Sequence, residues 1–191
     1  MSFDLEHIDW EKQSLPPLPK LLYKEHEIVT KQTKKQVEQF YLSNSVKVLN
    51  TKYETPKPIP SFETCLCFPK YMHNIFELLK FKEPTPIQSQ AWPIIMQGHD
   101  MIGIAETGSG KTLAFVLPGL VHVKAHQQEL KKMGLEEKRK GPIMLILTPT
   151  RELALQIEAE CIRFADGVRI ACVYGGKDRK EQIKKVKKGG M

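Results

Sequence analysis

The fold is decided by eight consecutive residues, Ala105-Glu106-Thr107-Gly108-Ser109-Gly110-Lys111-Thr112. An apolar stretch precedes them and a helical pattern follows, which is the context that a phosphate-binding loop requires. Gly108 and Gly110 let backbone N–H groups face an anion, and the helix N-terminus adds partial positive charge. Lys111 is predicted to reach the β- and γ-phosphates of a nucleotide, and the Thr112 hydroxyl to ligate its Mg²⁺. The general pattern begins with Gly, whereas this chain has Ala105 there.

Outward from this octet, helical periodicity alternates with short apolar runs. The pattern predicts strands over 100–104, 143–148 and 168–174. It predicts helices over 31–42, 69–80, 86–97, 111–124, 151–164 and 177–188. Pro118 is expected to kink its helix, and residues 127–141 are expected to form a charged loop. Because short apolar strands alternate with helices, we expect an α/β fold with a parallel sheet.

Length and composition restrict the class of protein. The chain has 191 residues, of which 41% are hydrophobic, and this suits one compact domain of about 100–200 residues. No window approaches the roughly 18 apolar residues of a membrane span, and the N-terminus lacks a secretory leader. The four cysteines do not suggest a disulfide framework, and Cys65-x-Cys67 lacks a second pair at zinc spacing. We therefore expect no membrane partner and a soluble protein of a reducing compartment, with the nucleus favoured over the cytoplasm.

The first 58 residues differ from the rest of the chain. Pro56, Pro58 and Pro60 predict an extended connector, because each proline ring fixes φ and restricts the residue before it. We expect an N-terminal extension and linker over 1–58, which packs on or trails from a domain over 59–191. The extension is the candidate site for protein partners.

The formal charge of +7 is concentrated in two runs. Residues 131–140 carry a net charge of +3, and residues 177–188 carry +5. Such clusters can pair with a nucleic-acid backbone and release counterions. Either run alone is better explained by a solvated loop or a solvated helix face.

Four motifs together resemble one family, the DEAD-box RNA helicases, and especially its p68/HAGE-like subgroup. The octet Ala105–Thr112 resembles motif I, where Ala at the first position is usual. Phe81–Gln88 resembles the Q motif, and Phe62 stands where the isolated upstream aromatic belongs. Pro149–Ala154 is identical to motif Ia, and Gly175-Gly176 matches the GG motif.

The resemblance implies a RecA-like parallel sheet flanked by helices, with ATP and Mg²⁺ as cofactors. Gln88 is implied to read an adenine edge, since its amide both donates and accepts hydrogen bonds. Phe62 or Phe81 would offer an aromatic face to the base, although burial in the core explains either ring as well. The implied ATP-binding set is Phe62, Phe81, Lys82, Glu83, Gln88 and Ala105 to Thr112, with Lys111 and Thr112 as the catalytic pair.

The resemblance also implies that this chain holds RNA by its backbone rather than by its base sequence. The implied contacts are Pro149, Thr150, Arg151 and Glu152 of motif Ia, and Gly175 and Gly176. Donors at a helix N-terminus suit phosphate oxygens, and glycines allow close approach of the backbone. An arginine that only caps a helix and a simple strand-ending turn are the structural alternatives.

The implied activity is ATP-driven RNA unwinding or remodelling of RNA–protein complexes. The 191 residues contain no Asp-Glu-Ala-Asp sequence, so we expect an incomplete first helicase domain that does not turn over ATP alone. One alternative is a truncated module that binds nucleotide or RNA without catalysis. Another is a P-loop NTPase of a different kind, against which Gln88 and Pro149–Ala154 argue.

Overall fold

The computed structural model describes residues 9–12, 18–49, 53–135 and 141–189. Among these residues a 3-10 turn at Trp10–Lys12 precedes seven α-helices. Their bounds are α1 Glu27–Thr30, α2 Lys34–Ser43, α3 Lys70–Leu78, α4 Pro86–Met96, α5 Lys111–Lys132, α6 Arg151–Phe164 and α7 Arg179–Gly189. The six predicted helices therefore correspond to α2 through α7. The predicted bounds are met at both ends of α6 and at the first residues of α4 and α5, and the other ends are shifted. No helix among the described residues is long and apolar enough to cross a membrane.

One buried cluster joins α3, α4, α5 and α6. Trp92 is fully buried within it, and its indole Nε1 donates a hydrogen bond to the Leu113 carbonyl across 3.2 Å. The Trp92 ring lies 4.8 Å from Phe68 and 6.4 Å from Phe76, measured between centroids. The core members are Ile59, Phe62, Cys65, Phe68, Met72, Phe76, Trp92, Val116, Leu117, Leu120, Ile157, Cys161 and Phe164. This cluster fixes α4 against α5, the two helices whose first turns carry Gln88 and Lys111.

Helix α5 continues through Pro118 and ends at Lys132, so the predicted charged loop at 127–141 is wrong over its first six residues. The buried face of the helix continues into this part, with Val123 and Leu130 at 6% and 5% exposure. Apolar contacts on one face outweigh the high charge of the other face, as in any amphipathic helix. Residues 136–140, which hold most of the first basic run, lie outside the described residues.

The three predicted strands have no assigned strand structure within the described ranges. Ile102 and Ile104 are 92% and 93% exposed, and Leu147 is 84% exposed. A strand is defined by the hydrogen bonds that it shares with a neighbour, and none of the backbone hydrogen bonds between described residues pairs these segments with one another. The three segments have the apolar pattern of strands, but the described residues show no backbone hydrogen bonds that pair them. The parallel sheet therefore stays a prediction.

The segment before residue 60 packs on α4. The N–H groups of Leu22 and Tyr23 donate to the Met96 carbonyl across 2.8 and 3.0 Å. The Gln90 side chain of α4 donates to the Pro56 carbonyl across 2.9 Å and accepts from the Tyr41 hydroxyl across 3.1 Å. Of the two expected arrangements, the described part of the extension therefore adopts the packed one.

Candidate functional site

The phosphate-loop octet connects the exposed segment before Ala105 to the first turn of α5. Gly108 and Gly110 adopt φ values of +79° and +86°, which L-residues with a side chain rarely adopt. Gly110 is the N-cap residue of α5, so N–H groups at the start of this helix point toward the loop. A Cβ atom on Gly108 would meet no described atom within 4 Å, so the loop is open on that side.

Lys111 fills the middle of this loop. Its Nζ donates to the carbonyl oxygens of Ala105 and Glu106 across 2.6 and 2.5 Å. The Ser109 hydroxyl is buried and has no hydrogen-bond partner among the described residues. An ammonium group, inward N–H groups and an unpartnered hydroxyl together form a donor set that fits a phosphate group.

Gln88 connects α4 to the phosphate loop. Its Oε1 accepts from the Thr85 N–H across 3.1 Å, and its Nε2 donates to the Gly110 carbonyl across 3.1 Å. The side chain is buried at 5% exposure. An amide group has two N–H bonds and two lone pairs, so these two hydrogen bonds leave one N–H and one lone pair of the amide unused. The geometry is therefore compatible with reading the edge of a base beside the loop.

The close approach of Gln88 also explains why position 110 is glycine. A Cβ atom on Gly110 would lie 2.4 Å from the Gln88 Nε2 and 2.9 Å from the Thr85 Oγ1. Both distances are below van der Waals contact, so any side chain at 110 would push Gln88 away. The phosphate loop and the segment that carries Gln88 can therefore pack this closely only because position 110 has no side chain.

The two candidate aromatic residues have different surroundings. Phe62 is 9% exposed and stacks on Phe76 with centroids 4.4 Å apart, inside the core cluster. Phe81 is 39% exposed, and its ring lies nearly parallel to Phe62 with centroids 6.4 Å apart. Of the two rings, Phe81 therefore offers the larger free face to a ligand, while Phe62 supports it from the core side.

The end of α3 positions Phe81. The Lys80 and Phe81 N–H groups donate to the carbonyls of Glu77 and Phe76 across 3.0 and 2.9 Å. Lys80 has φ +55°, so the turn is a Schellman motif with a lysine at the left-handed position that glycine usually occupies. Lys82 and Glu83 follow it as exposed residues.

The second candidate surface begins at the N-terminus of α6. Thr150 is its N-cap residue, and the Thr150 Oγ1 accepts from the Leu153 N–H across 3.3 Å. Pro149, Arg151 and Glu152 are exposed beside it. Thr150 thus has a capping role, and the remaining N–H groups of the first turn face solvent or a bound anion.

The structure brings Arg151 together with Tyr174, which sequence reasoning missed, and with Lys177, the first residue of the second basic run. The Arg151 guanidinium lies 4.6 Å from the centroid of the Tyr174 ring, and the Lys177 Nζ lies 5.4 Å from the same ring. A hydrogen bond with Tyr174 is the main cause that raises the pKa of Lys177. An aromatic residue directly before Gly175-Gly176 and a cation directly after are the signal that could have indicated the contact of Tyr174 with Lys177.

Helix α7 holds this cluster in place. The Gln182 side chain accepts from the Tyr174 N–H across 2.9 Å and donates to the Tyr174 carbonyl across 3.1 Å. Gly176 has φ +83°, while both Gly175 and Gly176 have open space at the Cβ position among the described atoms. The glycine pair is therefore accessible, and Lys177, the next residue, carries a positive charge.

Residues 85–191 match the family model described as DEAD/DEAH box helicase. ATP-dependent RNA helicase DBP2 of Eremothecium gossypii is 44% identical over 188 residues, which are 97% of this chain and 32% of that protein. Probable ATP-dependent RNA helicase DDX43 of Homo sapiens is 42% identical over 195 residues, which are 96% of this chain and 29% of that protein.

Among solved structures, the crystal structure of the RNA helicase Prp28 from Chaetomium thermophilum bound to ADP is similar with a TM-score of 0.68. The two chains are 34% identical, and the match covers 84% of this chain and 37% of the other. The yeast DEAD-box splicing factor Prp28 also matches with a TM-score of 0.68, at 25% identity. The chain spans about a third of the length of the curated relatives that it matches.

Proposed function

Because the chain belongs to the DEAD/DEAH box helicase family, we propose that it is the ATP-binding and RNA-backbone-binding part of an ATP-dependent RNA helicase. The family resemblance that the four motifs indicated is thereby confirmed. The proposed activity of the whole protein is ATP-driven unwinding of RNA duplexes or remodelling of RNA–protein complexes. The parallel RecA-like sheet and the division into an extension over 1–58 and a domain over 59–191 are parts of this proposal.

The hydrogen bond between Gln88 and Gly110 is the observation that carries the proposal. It places an amide with free hydrogen-bonding capacity beside a loop whose donors fit phosphate groups. A nucleotide whose phosphates lie on the loop would extend its base toward Gln88. The proposed base contacts are Gln88, the Phe81 face supported by Phe62, and the neighbouring Lys82 and Glu83.

The phosphate loop would hold the triphosphate with residues Ala105 to Thr112. Lys111 now donates to two backbone carbonyls of its own loop, and phosphate oxygens would replace these acceptors. The Thr112 hydroxyl would hold Mg²⁺, which supplies charge neutralisation at the β- and γ-phosphates when it is bound. The role of Lys111 is then to stabilise the negative charge of the transferred phosphoryl group.

The proposed RNA contacts are Pro149, Thr150, Arg151 and Glu152 at the start of α6, with Gly175 and Gly176. Their exposure and the positive charge of Arg151 support contact with phosphate and sugar groups rather than bases. Binding of this kind is independent of base sequence and weakens as salt concentration rises. Protein partners of the 1–58 extension and a nuclear location complete the proposal.

A second candidate is a binding module without catalysis. It is favoured by the sequence of these 191 residues, which contains no Asp-Glu-Ala-Asp. Phosphoryl transfer requires an acidic Mg²⁺ partner and a residue that positions the attacking water. These residues by themselves are therefore proposed to bind nucleotide and RNA without turning over ATP.

The proposal is tested by titrating the chain with a fluorescent ADP analogue and Mg²⁺. We expect saturable binding that Lys111→Ala abolishes. Lys131→Ala is the matched control, because Lys131 is an exposed lysine near the other end of the same helix, about five turns from the loop. Equal binding by all three proteins, or no binding by the folded wild-type chain, would overturn the proposal.

A further inference from the structure

A pair of thiols lies in one tight turn of the core. The Phe68 N–H donates to the Cys65 carbonyl across 3.2 Å, which closes the turn. Within it the sulfur atoms of Cys65 and Cys67 are 3.5 Å apart, at hydrogen-bonding distance for thiols. Leu66 between them is 50% exposed, so the turn reaches the surface. The turn thus places a partly exposed cysteine, Cys67, beside a buried one, Cys65.

We propose that Cys65 and Cys67 are a modification site, an oxidisable dithiol that a hydroperoxide converts into an intramolecular disulfide. The turn already holds the two sulfur atoms close together, so the reaction requires only local movement. Cys65 is fully buried, whereas Cys67 is partly exposed. This difference assigns Cys67 as the residue that meets the oxidant and Cys65 as the residue that resolves the product.

The electrostatics of the pair agree with this assignment. The hydrogen bond from Cys65 lowers the pKa of Cys67, while burial is the main cause that raises the pKa of Cys65. Because the thiolate is the nucleophile, Cys67 is the more reactive member of the pair. Burial also raises the pKa of Cys172, so this partly exposed thiol is expected to react more slowly than Cys67.

The reaction proceeds in two balanced steps. The Cys67 thiolate attacks one peroxide oxygen, the O–O bond breaks, and the leaving hydroxide takes up a proton as water. Cys67 is then a sulfenic acid. The Cys65 thiol attacks the Cys67 sulfur, the S–O bond breaks, and the departing hydroxide takes the Cys65 proton as a second water. Two thiols are oxidised and one hydroperoxide is reduced.

The test is treatment of the folded chain with hydrogen peroxide, followed by unfolding, alkylation of the remaining thiols and tryptic peptide mapping. We expect alkylated cysteines to fall from four to two. The peptide that ends at Lys70 should lose about 2 Da relative to its reduced form. The same treatment of Cys172→Ala should give the same disulfide.

Two further variants separate the roles. Cys65→Ala should accumulate a sulfenic acid at Cys67 that dimedone traps, and Cys67→Ala should leave Cys65 unmodified. Thermal unfolding of each variant shows whether it is folded, and the wild-type result decides the proposal without them. Oxidation that begins at Cys172, disulfides only between two chains, or four unmodified thiols after treatment would each overturn it.

Discussion

The side-chain amide of Gln88 donates a hydrogen bond to the backbone carbonyl of Gly110 across 3.1 Å. Gln88 lies in the first turn of α4, and Gly110 caps the N-terminus of α5. The bond therefore joins the starts of two helices whose bodies pack together in the core. It thereby links the part of the site that is proposed to read the base to the part that is proposed to hold phosphates.

Loss of this bond should loosen the phosphate loop. Gln88→Ala leaves the Thr85 N–H without its partner and the Gly110 carbonyl with only the Ala114 N–H, which should cost about 1–3 kcal/mol in the free energy of unfolding. Hydrogen exchange of the amides at 106–112 should increase as well. Gln90→Ala is the matched control, because Gln90 is equally buried on α4 but bonds the extension. It should cost similar stability without increasing exchange in the loop.

The two glycines of the loop should differ in their tolerance of a methyl group. Gly110→Ala places a Cβ 2.4 Å from the Gln88 Nε2, so it should abolish binding of fluorescent ADP. In Gly108→Ala the alanine must adopt the same left-handed conformation, but its Cβ meets no steric clash. This variant should lose only about 1–2 kcal/mol in the free energy of unfolding. Equal ADP affinities in the two variants would contradict the proposed link between the motifs.

Lys80 should be replaceable by glycine with a gain in stability. Its φ of +55° is strained for a residue with a side chain, so Lys80→Gly should raise the free energy of unfolding by about 0.5–1 kcal/mol. Lys80→Ala is the control, because alanine keeps the strain and should give no gain. Urea denaturation of the three proteins measures the difference. A gain in the alanine variant would show that the lysine charge, not the backbone, is responsible.

Tyr174 should position Arg151 for RNA binding. Arg151→Ala and Tyr174→Ala should each weaken binding of a single-stranded RNA at fixed salt, and the double variant should be less than additive by about 0.5–1 kcal/mol. Tyr174→Phe keeps the ring and should retain the coupling. Lys180→Ala, an exposed lysine of α7, should combine additively with Arg151→Ala. Strict additivity of the Arg151 and Tyr174 variants would refute the positioning role.

Tyr71 should make stability sensitive to alkaline pH. Burial, with a contribution from Asp166, raises its pKa from 10.0 to about 12. The raised pKa favours the neutral phenol in the folded state. The contribution of Tyr71 to the free energy of unfolding is therefore complete below pH 10 and is lost as the pH rises toward about 12. Tyr71→Phe should therefore unfold less steeply over this range than the wild type.

At neutral pH the same variant should be slightly more stable than the wild type. The Tyr71 hydroxyl is buried without a hydrogen-bond partner among the described residues, so its removal should raise the free energy of unfolding by about 1 kcal/mol. The ring and its contact with Lys124 remain. Thermal melts from pH 8 to about pH 11 would test both statements, and parallel alkaline curves would exclude the assigned role of Tyr71.

Local signals predicted the helices well where caps and periodicity agreed. Helix α6 has the predicted bounds because Thr150 caps it and an apolar face runs through to Phe164. Helix α5 is longer than predicted, since its charged second half hides a buried face that only the packed structure reveals. The segment at 100–104 has a strand-like pattern but no strand, because pairing depends on neighbours that its own residues do not determine.

For the candidate site, the sequence indicated residue types but not their arrangement. Glycine and lysine spacing indicated the phosphate loop, and the structure adds the contacts of Gln88 with Thr85 and Gly110. The different exposure of Phe62 and Phe81 could not be predicted, since both are isolated aromatics in the sequence. Tyr174 and Arg151 are 23 positions apart in the chain, and no local pattern shows that they are in contact.

The central claim is that Gln88 reads the base of a nucleotide whose phosphates the loop holds. The most direct measurement is the ratio of the dissociation constants for ADP and GDP, with Mg²⁺, in the wild type, Gln88→Ala and Lys111→Ala. We predict that Gln88→Ala reduces the preference for adenine by about 10-fold, which corresponds to one or two hydrogen bonds. Lys111→Ala should weaken both nucleotides and leave the ratio unchanged. A wild-type ratio in a folded Gln88→Ala variant would contradict the claim.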